Sequence, residues 1–152
     1  MKEPVVAKIL RMSLYLTFCV GVVLTLSIPF FIEWYTYLVQ GTGHITAGYR
    51  QFIVPFLMGS AIPCLWIVLE MIGMLATIKQ DPFVKRNTRA LNRVGSLFLL
   101  LSVVFFLKCV VFFTVLTLFC AFLFLGAGLF AFTLSALIGQ SIAIKEENDL
   151  TI

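Results

Sequence analysis

Apolar residues fall in three blocks along the chain, and their lengths set the first expectation. The first block runs from about Ile9 to Ile32, the second from about Phe52 to Ile78, and the third from near Val94 to Ile144. A hydrocarbon core takes roughly 20 helical residues per crossing. The first two blocks are one crossing each. The third has room for two, carries Lys108 as its only charge, and predicts two crossings joined by a tight turn. The stretch FFTVLTLFC, residues 112–120, is the expected turn, with Thr114 and Thr117 placed to satisfy freed backbone groups. All four spans are expected to be helical, because lipid offers no partner for an unpaired backbone group. They are placed at about 9–32, 52–78, 94–114 and 118–144, with a connector at 79–93 and a tail at 145–152. The predicted architecture is an all-α integral membrane four-helix bundle, a single membrane domain over residues 1–152.

Composition agrees with this reading. Of the 152 residues, 61% are hydrophobic and 12% charged, against about 25% charged in ordinary soluble domains. So much apolar surface cannot be hidden inside a body of this size. Cys19, Cys64, Cys109 and Cys120 all lie inside apolar runs, without a Cys-x-x-Cys pair. They read as small apolar packing residues and say nothing about redox compartment.

The net charge of +4 has an explanation in topology. The N-terminal arm holds Lys2, Lys8 and Arg11; the 79–93 connector holds Lys79, Lys85, Arg86, Arg89 and Arg93; the tail holds Lys145. The 33–51 connector holds only Arg50. The positive-inside rule then puts both termini and the 79–93 connector in the cytoplasm, and direct nucleic-acid binding is not expected. Trp34, Tyr35 and Tyr37 at the outer end of span one fit an aromatic belt. The N-terminal apolar run is too long for a signal-peptide core and is read as a retained span. The expected location is a cell membrane, crossed several times. His44, the only histidine, lies in the outer connector and is assigned no role.

Lipid tails are as apolar as leucine, so helices in a bilayer associate through close approach at small residues. Span four carries Ala127, Ala131, Ser135, Gly139 and Ala143 at successive i+4 steps. Span one carries Ser13, Thr17, Gly21 and Thr25 at the same spacing. The two stripes predict that spans one and four pack tightly together and close the bundle. Pro29, Pro55 and Pro63 are expected to bend spans one and two.

Two ionisable residues lie within spans, Glu70 and Lys108. Their depths, roughly 12 Å and 22 Å from the cytoplasmic side, argue against a direct ion pair. Lys108 is expected to snorkel outward toward Glu33. Glu70 is expected to reach the cytoplasmic interface or a Ser or Thr of span one.

The connector DPFVKRNTRALNRVG, residues 81–95, reads as a helix start, with Asp81 as N-cap and Pro82 in the first position. Phe83, Ala90, Leu91 and Val94 share one face; Lys85, Arg86, Arg89 and Arg93 occupy the other. This pattern predicts a short amphipathic helix at the inner headgroup level, running into span three. Asn87 falls on the apolar side, either as a solvated interfacial residue or bonded to a segment lying against the helix. The tail IAIKEENDLTI (142–152) brings Glu146, Glu147 and Asp149 close to the connector cations, and its apolar end, Leu150 to Ile152, either docks in a groove, adds to a partner's strand or is a frayed end.

The connector and the tail together resemble the domain-of-unknown-function family 2975, small bacterial proteins with four membrane spans. Pro82, Phe83, Asn87, Leu91 and Gly95 match the family's connector pattern, and Glu147 to Ile152 match its tail. No activity is established for that family. Its members are often encoded beside a very small helix-turn-helix regulator, so the resemblance implies a membrane-side partner for a cytoplasmic transcription factor. The candidate partner-binding residues are Phe83, Lys85, Arg86, Asn87, Arg89, Glu146, Glu147, Asn148, Asp149, Leu150 and Ile152. A homo-oligomer is left open. The alternative reading is a small transporter, channel or immunity-type protein, resting on Glu70, Lys108 and the prolines. No enzyme is expected: one histidine, no carboxylate pair within spans and no metal set leave catalysis, cofactor and metal without residues to carry them.

Overall fold

The computed structural model describes residues 5–39, 47–77 and 85–150. It contains four α-helices: α1 Val5–Val39, α2 Ala47–Thr77, α3 Lys85–Val111 and α4 Val115–Leu150. Each is long and apolar enough to cross a membrane, and the chain is a multi-pass membrane protein. The expected spans fall inside these helices or overlap them closely, but α1, α3 and α4 all run past the apolar core at an end. The long third block divides at residues 112–114. Phe112 N–H donates to the Lys108 carbonyl (2.8 Å) and Leu118 N–H to the Thr114 carbonyl (3.1 Å), so backbone bonds close both sides of the break.

Neighbours in sequence are neighbours in space. α3 and α4 form the most extensive interface, followed by α1 with α2 and then α2 with α3. Among the described residues α1 touches neither α3 nor α4, so the helices form an open row and the predicted packing of α1 on α4 is not found. The reason lies in helix geometry. An i+4 step advances about 400°, so a stripe at that spacing drifts by roughly 40° per step around the helix. On α4, Ala131 and Ser135 are buried, Ala127 and Gly139 are half-buried and Ala143 is exposed. On α1, Ser13 and Thr17 are exposed, while Gly21 and Thr25 are half-buried. What α4 buries instead repeats every seven residues: Ala121, Gly128, Ser135 and Ile142. α3 does the same with Asn87, Val94, Leu101 and Lys108. A seven-residue repeat keeps one seam facing the partner along the whole contact, as in left-handed helix pairs.

Two glycines set the closest approach on that seam. A Cβ on Gly95 would lie 3.2 Å from the Gly128 carbonyl oxygen and 3.1 Å from the Phe132 ring. A Cβ on Gly128 would lie 3.1 Å from the Gly95 carbonyl oxygen and 3.0 Å from Leu99 Cδ2. Each glycine therefore admits the other's backbone. Farther along, the Ser102 hydroxyl donates to the Ala121 carbonyl (2.9 Å), a bond worth having where no water competes. Ile67 of α2 joins Val94, Leu101 and Ala131 in the small buried core. In the other hairpin, a Cβ on Gly21 would lie 2.9 Å from Leu65 Cδ2, so Gly21 serves α1 against α2 rather than against α4.

The connector does not form a separate short helix within the described residues. Residues 85–93 are the first turns of α3, continuous with its span. Asn87, Ala90 and Val94 are buried on the face that α3 uses throughout, which fixes this segment along the helix axis. Asp81, Pro82 and His44 lie outside the described residues.

Candidate functional site: the polar end of the helix row

Polar contacts between helices concentrate at one end of the row, and each adjacent pair has its own. Arg11 Nη2 of α1 donates to the Leu75 carbonyl of α2 (3.4 Å). Arg93 of α3 holds Glu70 of α2 through Nε to Oε1 (3.0 Å) and Nη2 to Oε2 (3.1 Å). Lys85 of α3 pairs with Glu146 of α4 at 2.8 Å, and the Ser135 hydroxyl donates to the Thr88 carbonyl (3.1 Å). These contacts put the start of α1 and the end of α4 at the same end of the molecule. The opposite end of α2 and α3 is aromatic: Phe112 meets Tyr49 edge-on at 5.1 Å between ring centroids and Phe52 at 5.3 Å, and Phe56 meets Phe105 at 5.1 Å.

The pairing of Glu70 with Arg93 is the contact that sequence reasoning missed. In the sequence Arg93 belongs to the basic face of the connector. Glu70 is seven residues before the end of α2 and Arg93 eight residues after the start of α3. In an antiparallel pair these offsets are the same depth, roughly 11–12 Å from the helix ends. The fork geometry is the one that Arg and a carboxylate prefer. Trp66 Nε1–H adds a longer contact to Glu70 Oε1 (3.4 Å) one turn earlier on α2.

Lys108 does not reach outward toward Glu33. Its side chain is buried, and its ammonium donates to the hydroxyls of Thr114 (2.9 Å) and Thr117 (2.8 Å) across the α3–α4 turn. The two threonines expected to serve freed backbone groups serve this charge instead. A snorkelling lysine needs an unobstructed route to water; here the turn folds over the ammonium and supplies oxygen directly.

Of the candidate partner-binding residues, Lys85, Arg86, Arg89, Glu146, Glu147 and Asn148 are exposed at the polar end. Arg86 leans toward α2, where Nη2 comes within 4.0 Å of the Cβ position of Gly73. Asn87 is a correction: only 4% of it is exposed, so it belongs to the helix seam and not to a docking surface. It is not the solvated interfacial residue that was one of its two expected roles. Phe83 and Ile152 lie outside the described residues, as do the side chains of Asp149 and Leu150, which close α4. Among the described residues there is no group of three or more His, Cys, Asp or Glu side chains that could hold a metal ion.

The profile of the family described as "Protein of unknown function (DUF2975)" matches residues 10–152. The chain belongs to the DUF2975 family. The match takes in all four spans together with the connector and tail motifs that carried the resemblance. No curated protein matches this DUF2975 member, and no solved structure does. The arrangement in this DUF2975 chain is chemically simple: guanidinium, ammonium, hydroxyl and carboxylate groups that bind, placed where the starts of α1 and α3 meet the ends of α2 and α4.

Proposed function

We propose that this chain is a membrane-anchored binding protein whose polar end holds a small helix-turn-helix transcription regulator against the bacterial cytoplasmic membrane. The observation that carries the reading is the Lys85–Glu146 pair at 2.8 Å, which joins the basic start of α3 to the acidic end of α4 in one exposed surface. By the positive-inside rule that surface faces the cytoplasm. Arg86 and Arg89 stand on its basic side, Glu147 and Asn148 on its acidic side. A small basic DNA-binding protein would be drawn to the acidic tail and, once there, could not present the same face to DNA.

The intramembrane charges favour binding over transport. Glu70 is gripped by Arg93 and Lys108 by two threonines. A proton or ion pathway needs a series of exchangeable groups, and here each charge is engaged locally.

The test is co-purification in mild detergent from the native host, followed for a small helix-turn-helix regulator, comparing the intact chain with one lacking residues 146–152. Loss of the regulator with helix content unchanged supports the reading. Retention at the intact level after that deletion overturns it.

A further inference from the structure

Between α3 and α4 at the polar end lies a shallow groove of about 280 Å³. Its α3 wall is Lys85, Thr88 and Arg89; its α4 wall is Gly139, Ile142 and Ala143, with Glu146 at the rim. The two helices are antiparallel, so the groove has a direction. Lys85 and Glu146 stand at the mouth, and Gly139 and Ile142 lie deeper toward the span. Arg89 lies one turn in from the mouth and is exposed. The long axis therefore runs from charge to hydrocarbon, along the membrane normal. Its deep end is lined by Gly139 and by the apolar side chain of Ile142.

We propose that this groove binds one anionic phospholipid, with the headgroup phosphate on Arg89 and Lys85 and an acyl chain against Gly139 and Ile142. The charge gradient selects an amphipathic anion over a soluble one, and a guanidinium beside an ammonium is a strong donor set for phosphate. Basic pockets between helix ends at the headgroup level have the chemistry that anionic headgroups need. Glu146 faces the same mouth and opposes an anion. It is already paired with Lys85, so an arriving phosphate takes Lys85 from it. Glu146 thus sets how tightly the lipid is held. The inference does not rest on the partner reading, because it needs no second protein, and it holds whichever side of the membrane this end faces.

The experiment is native mass spectrometry of the full chain in detergent, titrated with phosphatidylglycerol or phosphatidylcholine, with lipid adducts counted. The expected result is one retained phosphatidylglycerol, with phosphatidylcholine held at least roughly fivefold more weakly. Arg89→Gln and Lys85→Gln each weaken phosphatidylglycerol by roughly fivefold. Arg86→Gln removes the same charge from the next turn but outside the groove, and leaves retention within about twofold of the intact chain. Glu146→Gln strengthens it, whereas on the partner reading the same change weakens capture of the regulator. The proposal is overturned if Arg86→Gln costs as much as Arg89→Gln, which would mean diffuse attraction only. Equal retention of both lipids, weakening by Glu146→Gln, or displacement of the lipid by inorganic phosphate at equal concentration would each overturn it as well. Because Glu146→Gln is expected to gain affinity, that gain cannot come from loss of fold, and a weakening counts only with helix content unchanged.

Discussion

Arg93 grips Glu70 at two points, Nε to Oε1 at 3.0 Å and Nη2 to Oε2 at 3.1 Å, and so ties α2 to α3 through a carboxylate whose side chain is only 15% exposed. The Arg93 side chain is 59% exposed, so one partner is largely enclosed between the helices and the other stands on their outer surface. The contribution should fall between the about 0–1 kcal/mol of exposed pairs and the about 3–5 kcal/mol lost when a buried pair is broken. Arg93→Gln is expected to cost about 2–3 kcal/mol, because it leaves the Glu70 charge uncompensated. Glu70→Gln should cost less, since the long guanidinium side chain it abandons is free to swing toward the headgroup level. Unfolding in mixed micelles, read as a double-mutant cycle, checks both the order and the coupling. A larger loss for Glu70→Gln would contradict the burial argument.

The Gly95–Gly128 crossing predicts a sharp positional effect. Gly128→Ala puts a methyl 3.1 Å from a backbone oxygen that cannot move without parting α3 from α4. Gly126→Ala, two residues away, meets nothing within 4 Å. The first should destabilise by about 1–3 kcal/mol as overpacking. The second should be neutral or favourable, since alanine is the better helix former. Equal effects in a thermal or denaturant series would mean that the helices do not cross there.

Lys108 and its two threonines make a test of order. Replacing Thr114 and Thr117 together by valine leaves a buried ammonium without acceptors, with a cost of about 1–3 kcal/mol for each lost partner. Lys108→Met removes the charge and the need for acceptors at once, and should be much milder. Adding Lys108→Met to the double valine variant should restore most of the lost stability. Rescue is read as recovery of the unfolding midpoint.

Topology is open to direct labelling. In a background without the four native cysteines, Arg86→Cys and Asp149→Cys should react with an impermeant thiol reagent from the same side of the membrane. Reaction from opposite sides would end the proposed surface, because α3 and α4 could not then share their polar end.

The four crossings were legible in the sequence because they depend on run length, a one-dimensional property that lipid reads directly. The division of residues 94–144 into two helices followed from the same arithmetic. The helix neighbours were not legible, and the small-residue stripes show why. Small residues are common enough in spans to form an i+4 row on several faces, and only the seven-residue spacing of Ala121, Gly128, Ser135 and Ile142 stays in register with a partner. Gly95 belongs to the connector motif, but its use depends on Gly128, 33 residues later, so neither position reveals the crossing alone. The Glu70–Arg93 contact was accessible from equal offsets about the connector. The sequence hides it because Arg93 fits the basic connector face equally well. Asn87 looked misplaced on an apolar face; in the folded chain it is one of several polar members of the seam, with Ser102, Lys108 and Ser135.

The open row has a consequence for how the protein is made. The hairpin of α1 and α2 leaves the ribosome first, and among the described residues α1 has only α2 to hold it. The later hairpin carries the stronger contact, so assembly must wait for it, and the earlier pair has to persist in the bilayer until Arg93 arrives to meet Glu70. A chain truncated after α2 should therefore insert yet remain loose, an easy substrate for membrane proteases, while α3 and α4 expressed together should hold as a protected unit.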